Sequence, residues 1–241
     1  MRDLGCVQWP GDEVHGCTIL CRAMAEQITI PITIFELSIR YEKPVMRLLA
    51  DHAEVDQALL EAFAEFEPDA DELELVATGK TTERGTRLRL TSQKITLFFG
   101  ATNCKFTKEG GVWADADEVL RVLDLFLTIL TNVGRVVPGK KVSILSLHLQ
   151  PKTASFKDIL RPFVDSNIQK LDAAPLEAMA IVARWPYHRI TLDGSAQLAN
   201  GIFLQMERDF EASVSLDDIK RRILDDEIIL LKLLGVEEVE A

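Results

Sequence analysis

The chain has 241 residues, 47% of them apolar, and a formal net charge of −11. So much apolar material excludes a disordered chain, and such an acid excess excludes a general nucleic-acid binder, though not a local basic patch. Four cysteines at this length make no disulfide framework, and Met1-Arg2-Asp3-Leu4-Gly5 is no apolar leader, so a reducing cytoplasm is expected.

Residues 1–13 contain Trp9-Pro10-Gly11-Asp12, a loop or turn. From Val14 the chain turns apolar, and His15, Cys17, Ile19 and Cys21 share a parity, hence one face of a strand. His15, Cys17 and Cys21 are the only metal-like cluster. Zinc wants four ligands and three are offered, so the expectation is a core-facing strand and no metal. Gln27 to Tyr41 is the longest strand signal. Its apolar positions run Ile28, Ile30, Ile32, Ile34 and then switch parity to Phe35, Leu37, Ile39, Tyr41. A switch of this kind means a bulge, a bend or burial on both faces, and Pro31 adds an edge or a bulge.

Residues 51–66 form an amphipathic helix with Asp51 and Glu54 as its capping pair and Val55, Leu59, Phe63 and Phe66 as its inner face. From Asp51 to Glu74 there are ten acids and no Lys or Arg. The next stretch reverses this, with Lys80, Arg84, Arg87, Arg89, Lys94, Lys105 and Lys108 against Glu83 alone. Arg84, Arg87, Arg89 and Lys94 are candidates for contact with phosphate or an acidic partner. The alternatives are edge protection and internal pairing with the 51–74 acids.

Thr86 to Gln150 is the unit the rest covers. Arg87–Leu90 and Ile95–Phe99 are hairpin strands joined by Thr91-Ser92-Gln93-Lys94, which lacks an Asn-Gly turn signal. A helix is predicted over 115–134, with Asp115 and Glu118 as its capping box and Gly134 as a left-handed C-cap. Only Arg121, Asp124, Thr128, Thr131 and Asn132 interrupt its apolar wrap, which predicts burial on nearly all sides. Val142–Leu149 is the third strand, with Leu145, Leu147 and Leu149 on one face and Ile144, Ser146 and His148 on the other.

A short helix over Ser155–Leu160 and a crossover over 165–177 follow; if the chain is two domains, they are 1–164 and 165–241. Strands are predicted over Ala178–Arg184, Ile190–Leu192 and Gly201–Phe210, then a helix over 215–234 capped by Ser215. Its inner stripe is Leu216, Ile219, Ile223, Leu230 and Leu234, and its apolar end includes Ile228, Ile229, Leu231 and Leu233. Val142-Ser143-Ile144-Leu145-Ser146-Leu147-His148-Leu149, with this order of elements after it, resembles a sporadically distributed prokaryotic family of uncharacterised α+β proteins. The resemblance covers the last hundred residues and implies neither activity nor site residues. The family's Arg-Tyr-Asn-like strand ending is His148-Leu149-Gln150 here.

No phosphate-binding glycine loop, dinucleotide fingerprint or nucleophile elbow is present; Gly194-Ser195 lacks the second glycine. A nuclease reading of Pro68-Asp69 fails for want of a lysine two residues after Glu72 or Glu74. Arg184-Trp185-Pro186-Tyr187-His188-Arg189 interleaves aromatics with cations, the composition of single-strand binders and of interface hot spots. The bland alternative is a hairpin with Trp185 packed in the core and Pro186 in the turn.

The expectation is therefore a single α+β domain: a mostly antiparallel sheet with a buried central helix (115–134) and flanking helices (51–66, 215–234). Its expected role is a non-catalytic interaction or regulatory subunit of a cytoplasmic prokaryotic complex. The partner site would be Arg184, Trp185, Tyr187 and Arg189 with Ile228, Ile229, Leu231 and Leu233. No cofactor and no membrane are expected. The alternatives are a nucleic-acid-binding component using the 80–108 band, and an enzyme whose groups meet only in the fold. Glu36, set in an apolar strand, is a candidate for the latter and is otherwise solvent-facing.

Overall fold

A computed structural model describes residues 28–50, 52–77, 84–110, 116–152, 180–211 and 213–233. The chain runs β1 (Ile28–Tyr41), α1 (Arg47–Ala50), α2 (His52–Ala62), β2 (Leu73–Val76), β3 (Gly85–Leu90), β4 (Ile95–Gly100) and β5 (Asn103–Glu109). It continues through α3 (Ala116–Asn132), β6 (Pro138–Pro151), β7 (Ile181–Arg184), β8 (His188–Gly194), β9 (Ile202–Phe210) and α4 (Leu216–Leu233). Among the described residues the strands make one nine-stranded sheet, in the order β2-β3-β4-β5-β1-β6-β9-β8-β7. Every neighbouring pair is antiparallel. The fold is α+β, as composition and periodicity predict.

One face of the sheet is the core. Phe35, Leu37 and Ile39 of β1 are buried. The register sets Phe35 beside Leu145, Leu37 beside Phe106 and Ile39 beside Cys104. Phe126 of α3 packs on Phe99 and Phe106, with ring centroids 4.9 and 6.1 Å apart. Asp56 of α2 accepts the Thr86 hydroxyl proton at 2.9 Å from that same face. Each fully buried Phe or Leu contributes about 1.5–3 kcal/mol relative to exposure. The other face is half-exposed and laced with ion pairs: Glu74 with Arg87 and Arg89, Glu36 with Lys105, and Glu207 with Arg189.

Several elements follow their sequence signals. Ser215 caps α4: its Oγ accepts the Asp218 N–H at 3.1 Å and donates to the Asp218 carboxylate at 2.7 Å. The β3–β4 hairpin has the expected register, Leu88 opposite Leu97. Its turn manages without Asn-Gly because Lys94 takes a left-handed conformation, φ +55 in sign and size. Val55, Leu59 and Phe63 line the buried side of the second helix, which gives way to a 3-10 turn over Ala64–Phe66.

Other elements depart from expectation. The 115–134 helix is observed over Ala116–Asn132, and it is amphipathic rather than wrapped on nearly all sides. Val119, Val122, Leu123, Phe126, Leu127, Ile129 and Leu130 are buried, Leu120 and Leu125 are half-buried, and the five interrupting polar residues are exposed. Those five occupy one stripe of the helix, and a stripe is enough to leave a solvated face. Its left-handed terminal residue is Arg135, φ +48, not Gly134. Gly134 is demanded by space, since a Cβ there would lie 2.8 Å from the Leu130 carbonyl oxygen.

The predicted elements do not include strand β5, whose segment Asn103-Cys104-Lys105-Phe106-Thr107-Lys108 alternates but holds only two apolar residues, Cys104 and Phe106. It is buried through Cys104 and Phe106, and Lys108 is drawn in with them. The third strand of the central unit is longer than Val142–Leu149 and spans Pro138–Pro151. Pro31 marks a register irregularity between Thr29 and Ile32 and lies on the middle strand of the sheet, so it signals a bulge and not an edge. Strands from both sides of residues 165–177 share the sheet: β6 pairs with β9 from Lys141↔Phe210 to Leu149↔Ile202. The His15–Cys21 stretch, the 155–160 helix and the 165–177 crossover lie outside the described residues.

Candidate functional site

The last hairpin of the sheet gathers the aromatic and basic segment. β7 and β8 pair from Ile181↔Leu192 to Arg184↔Arg189. Alternation puts Ile181, Ala183, Ile190 and Leu192 toward the core face and Val182, Arg184, Arg189 and Thr191 on the other. The turn between them is pinned at two points. The Trp185 N–H donates to the His188 carbonyl at 2.8 Å, and the Asp209 N–H of β9 donates to the Tyr187 carbonyl at 2.8 Å.

The backbone is thus held while its side chains point out. Trp185 is 42% exposed, and Tyr187 and Val182 are each 55% exposed. Packing of Trp185 in the core, the bland expectation, is not what the fold does. The indole instead lies on the His188 imidazole, with centroids 4.4 Å apart and planes 9° from parallel. The hairpin closes the far edge of the described sheet, with Leu192 in the core and Ile181 and Ile190 packed against it, and charge stands opposite its His188.

That charge is an Arg–Asp fork. Arg208 stands opposite His188 across β8 and β9. Its Nε donates to Asp226 of α4 at 2.8 Å and its Nη2 to the other carboxylate oxygen. The Asp226 side chain is only 5% exposed, so the pair is effectively buried. Burial, then the Arg208 charge, holds the His188 pKa below its usual value, with Asp226 acting in the opposite sense. On the opposite face of the sheet, Arg189 binds Glu207. Its Nε is shielded and unpartnered among the described residues. Arg184, exposed beside it, makes no ion pair among them.

The remaining candidates are placed as follows. Arg87 and Arg89 both bind Glu74, at 3.0 and 2.9 Å, so this part of the basic band is paired internally with the acidic stretch. Arg84 and Lys94 are exposed. Ile229 packs against the core beside the fully buried Leu230, and Ile228 is half-buried; the side chains of Leu231 and Leu233 lie outside the described residues. Glu36 is half-buried and bound to Lys105.

Ser195 Oγ accepts the N–H groups of Gln197 and Leu198 at 3.2 and 3.1 Å and lies 2.8 Å from His148 Nδ1. The two N–H contacts make the hydroxyl a turn cap, and it shares a hydrogen bond with that imidazole nitrogen. Burial pushes the Cys104 thiol and the Tyr41 hydroxyl well above their usual pKa values, so neither ionises near neutrality. Among the described residues no group of three or more His, Cys, Asp or Glu side chains is arranged to hold a metal ion. No helix among them is long and apolar enough to cross a membrane.

Sequence reading singled out Arg184, Trp185, Tyr187 and Arg189 but missed Glu207, Arg208 and Asp226. The parity of Leu204, Met206 and Arg208 hints that a cation faces the core side. Nothing local ties it to an acid 18 positions on. No protein-family model and no curated protein matches the chain.

Proposed function

We propose that this protein is a non-catalytic interaction subunit of a cytoplasmic complex and that it engages a protein partner through the β7–β8 hairpin. The observation that carries the reading is the exposure of Trp185 and Tyr187 on a turn whose backbone is pinned. Aromatic side chains held outward by a fixed backbone lose little entropy on binding, and Trp, Tyr and Arg dominate interface hot spots. The Ser195 hydroxyl is engaged as a turn cap and burial keeps the Cys104 thiol protonated near neutrality, which supports the binding reading.

Internal pairing of Arg87 and Arg89 with Glu74 favours a protein partner over nucleic acid. Kinship of the region after residue 141 with the prokaryotic α+β family that it resembles is part of the same proposal. The wrapped burial expected of the 115–134 helix is best retained for its inner face alone.

The test is a tagged purification from the protein's own cell at moderate salt, with mass spectrometry and absorbance near 260 nm. The expected result is a near-stoichiometric protein partner that is lost with Trp185→Ala plus Tyr187→Ala. A clean monomer carrying nothing would overturn the reading, and co-purifying nucleic acid would replace it.

A further inference from the structure

Resting on that reading, the geometry points to the chemistry of the partner: an acidic segment with an apolar residue beside its carboxylate. Arg184 and Arg189 are direct cross-strand neighbours. Like charges placed so are destabilising unless something neutralises them. Glu207 supplies one carboxylate, and it is bound to Arg189. Among the described residues one positive charge is left over, and it sits on Arg184, the exposed member of the pair.

The second neighbouring cation is compensated. Arg208 is held in a fork by Asp226, so it cannot turn outward to share an incoming anion. His188 is pressed against Trp185. The hairpin therefore offers one unclaimed guanidinium with Val182 two residues before it on the same face and Tyr187 in the turn after it. Val182 and Tyr187 are each 55% exposed. A carboxylate on the guanidinium and an apolar side chain against Val182 and Tyr187 would satisfy both features at once. Guanidinium–carboxylate geometry is planar and bidentate, so it also fixes the orientation of the bound segment.

The chain as a whole carries a net charge of −11 and repels an acidic partner at long range. The attraction therefore acts only within about a Debye length, roughly 8 Å at physiological salt. Recognition is local, and added salt weakens the contact at Arg184 while relieving the long-range repulsion.

The probe is a displayed random-peptide library panned against the full chain, followed by anisotropy titration of the enriched peptides made synthetically. Enriched peptides should pair Asp or Glu with an adjacent Leu, Phe or Trp. Arg184→Glu should weaken them by about tenfold or more, and exchanging the peptide's acid for Lys should restore binding to that variant. Arg184 is exposed, so the variant's fold is checked simply by circular dichroism. Enrichment of neutral or basic peptides that still need Trp185 overturns the acidic partner and leaves the interaction site standing. Peptides indifferent to Trp185→Ala and Tyr187→Ala overturn both. Tighter binding of a single-stranded oligonucleotide, abolished by Arg184→Glu, would make phosphate the ligand and overturn the acidic peptide.

Discussion

The Trp185 indole lies flat on the His188 imidazole, and across the strand His188 meets Arg208, which Asp226 holds from α4. An exposed aromatic is thereby linked, through three contacts, to a nearly buried ion pair beneath the terminal helix. The hairpin tip and α4 are one structural unit even though 38 positions of sequence separate His188 from Asp226, 18 of them between Arg208 and Asp226.

This unit makes stability depend on pH. Burial holds both His148 and His188 below the usual value of 6.5, and Arg208 pushes His188 further in the same direction. A histidine with a depressed folded pKa stays neutral while the unfolded chain takes up its proton. Stability is therefore full above about pH 6.5 and falls as the pH drops from there through the folded values. The urea midpoint should be lower at about pH 5.5 than at about pH 7.5, and His188→Gln should shrink the difference. Equal midpoints in the parent protein would contradict the assignment.

Asp226→Ala strands Arg208 in a nearly buried site. The expected loss is about 3 kcal/mol or more, whereas replacing both partners with apolar residues of similar size should recover most of it. Urea denaturation of the two single variants and the double variant measures this. Equal losses in single and double variants would mean that the fork is not the unit it looks like.

Phe126 joins α3 to the sheet through Phe99 and Phe106 and has no exposed surface. Phe126→Ala should cost about 3–5 kcal/mol, whereas Phe66→Ala, at a half-buried position, should cost less. Thermal and denaturant unfolding of the two variants distinguishes a core helix from a loosely docked one.

Gly85 faces Gly100 across β3 and β4. A Cβ at Gly85 would come 2.1 Å from the Phe99 carbonyl oxygen, a backbone atom that cannot swing aside. Gly85→Ala should therefore destabilise the protein by about 1–3 kcal/mol, the usual range for forced overpacking. Amide exchange should quicken first in β2 and β3, at the sheet edge.

Glu74 binds two arginines at a half-exposed site, and surface pairs contribute about 0–1 kcal/mol. Glu74→Gln should leave the unfolding midpoint nearly unchanged while freeing both guanidinium groups. In the interaction reading neither form binds a single-stranded oligonucleotide, even at low salt. Strong binding by the variant, steeply weakened by salt, would revive the nucleic-acid alternative.

What the sequence alone determined was local. Period-two alternation marked β3, β4 and β9, a serine with an acid three residues on marked the start of α4, and Pro31 marked the bulge in β1, whereas the parity switch at Ile34–Phe35 falls within unbroken register. These signals work because they depend on neighbours within a turn or a strand. The tertiary structure decided the rest. It placed β1 in the middle of the nine described strands, drew β5 into the sheet on the strength of only two apolar side chains, and set Arg208 against Asp226. It also decided that Trp185 faces outward while Ile229 turns inward, although both read as apolar candidates for the same role. Burial is a property of what packs on top, and that is fixed by strand order and helix placement, which no short window of sequence contains.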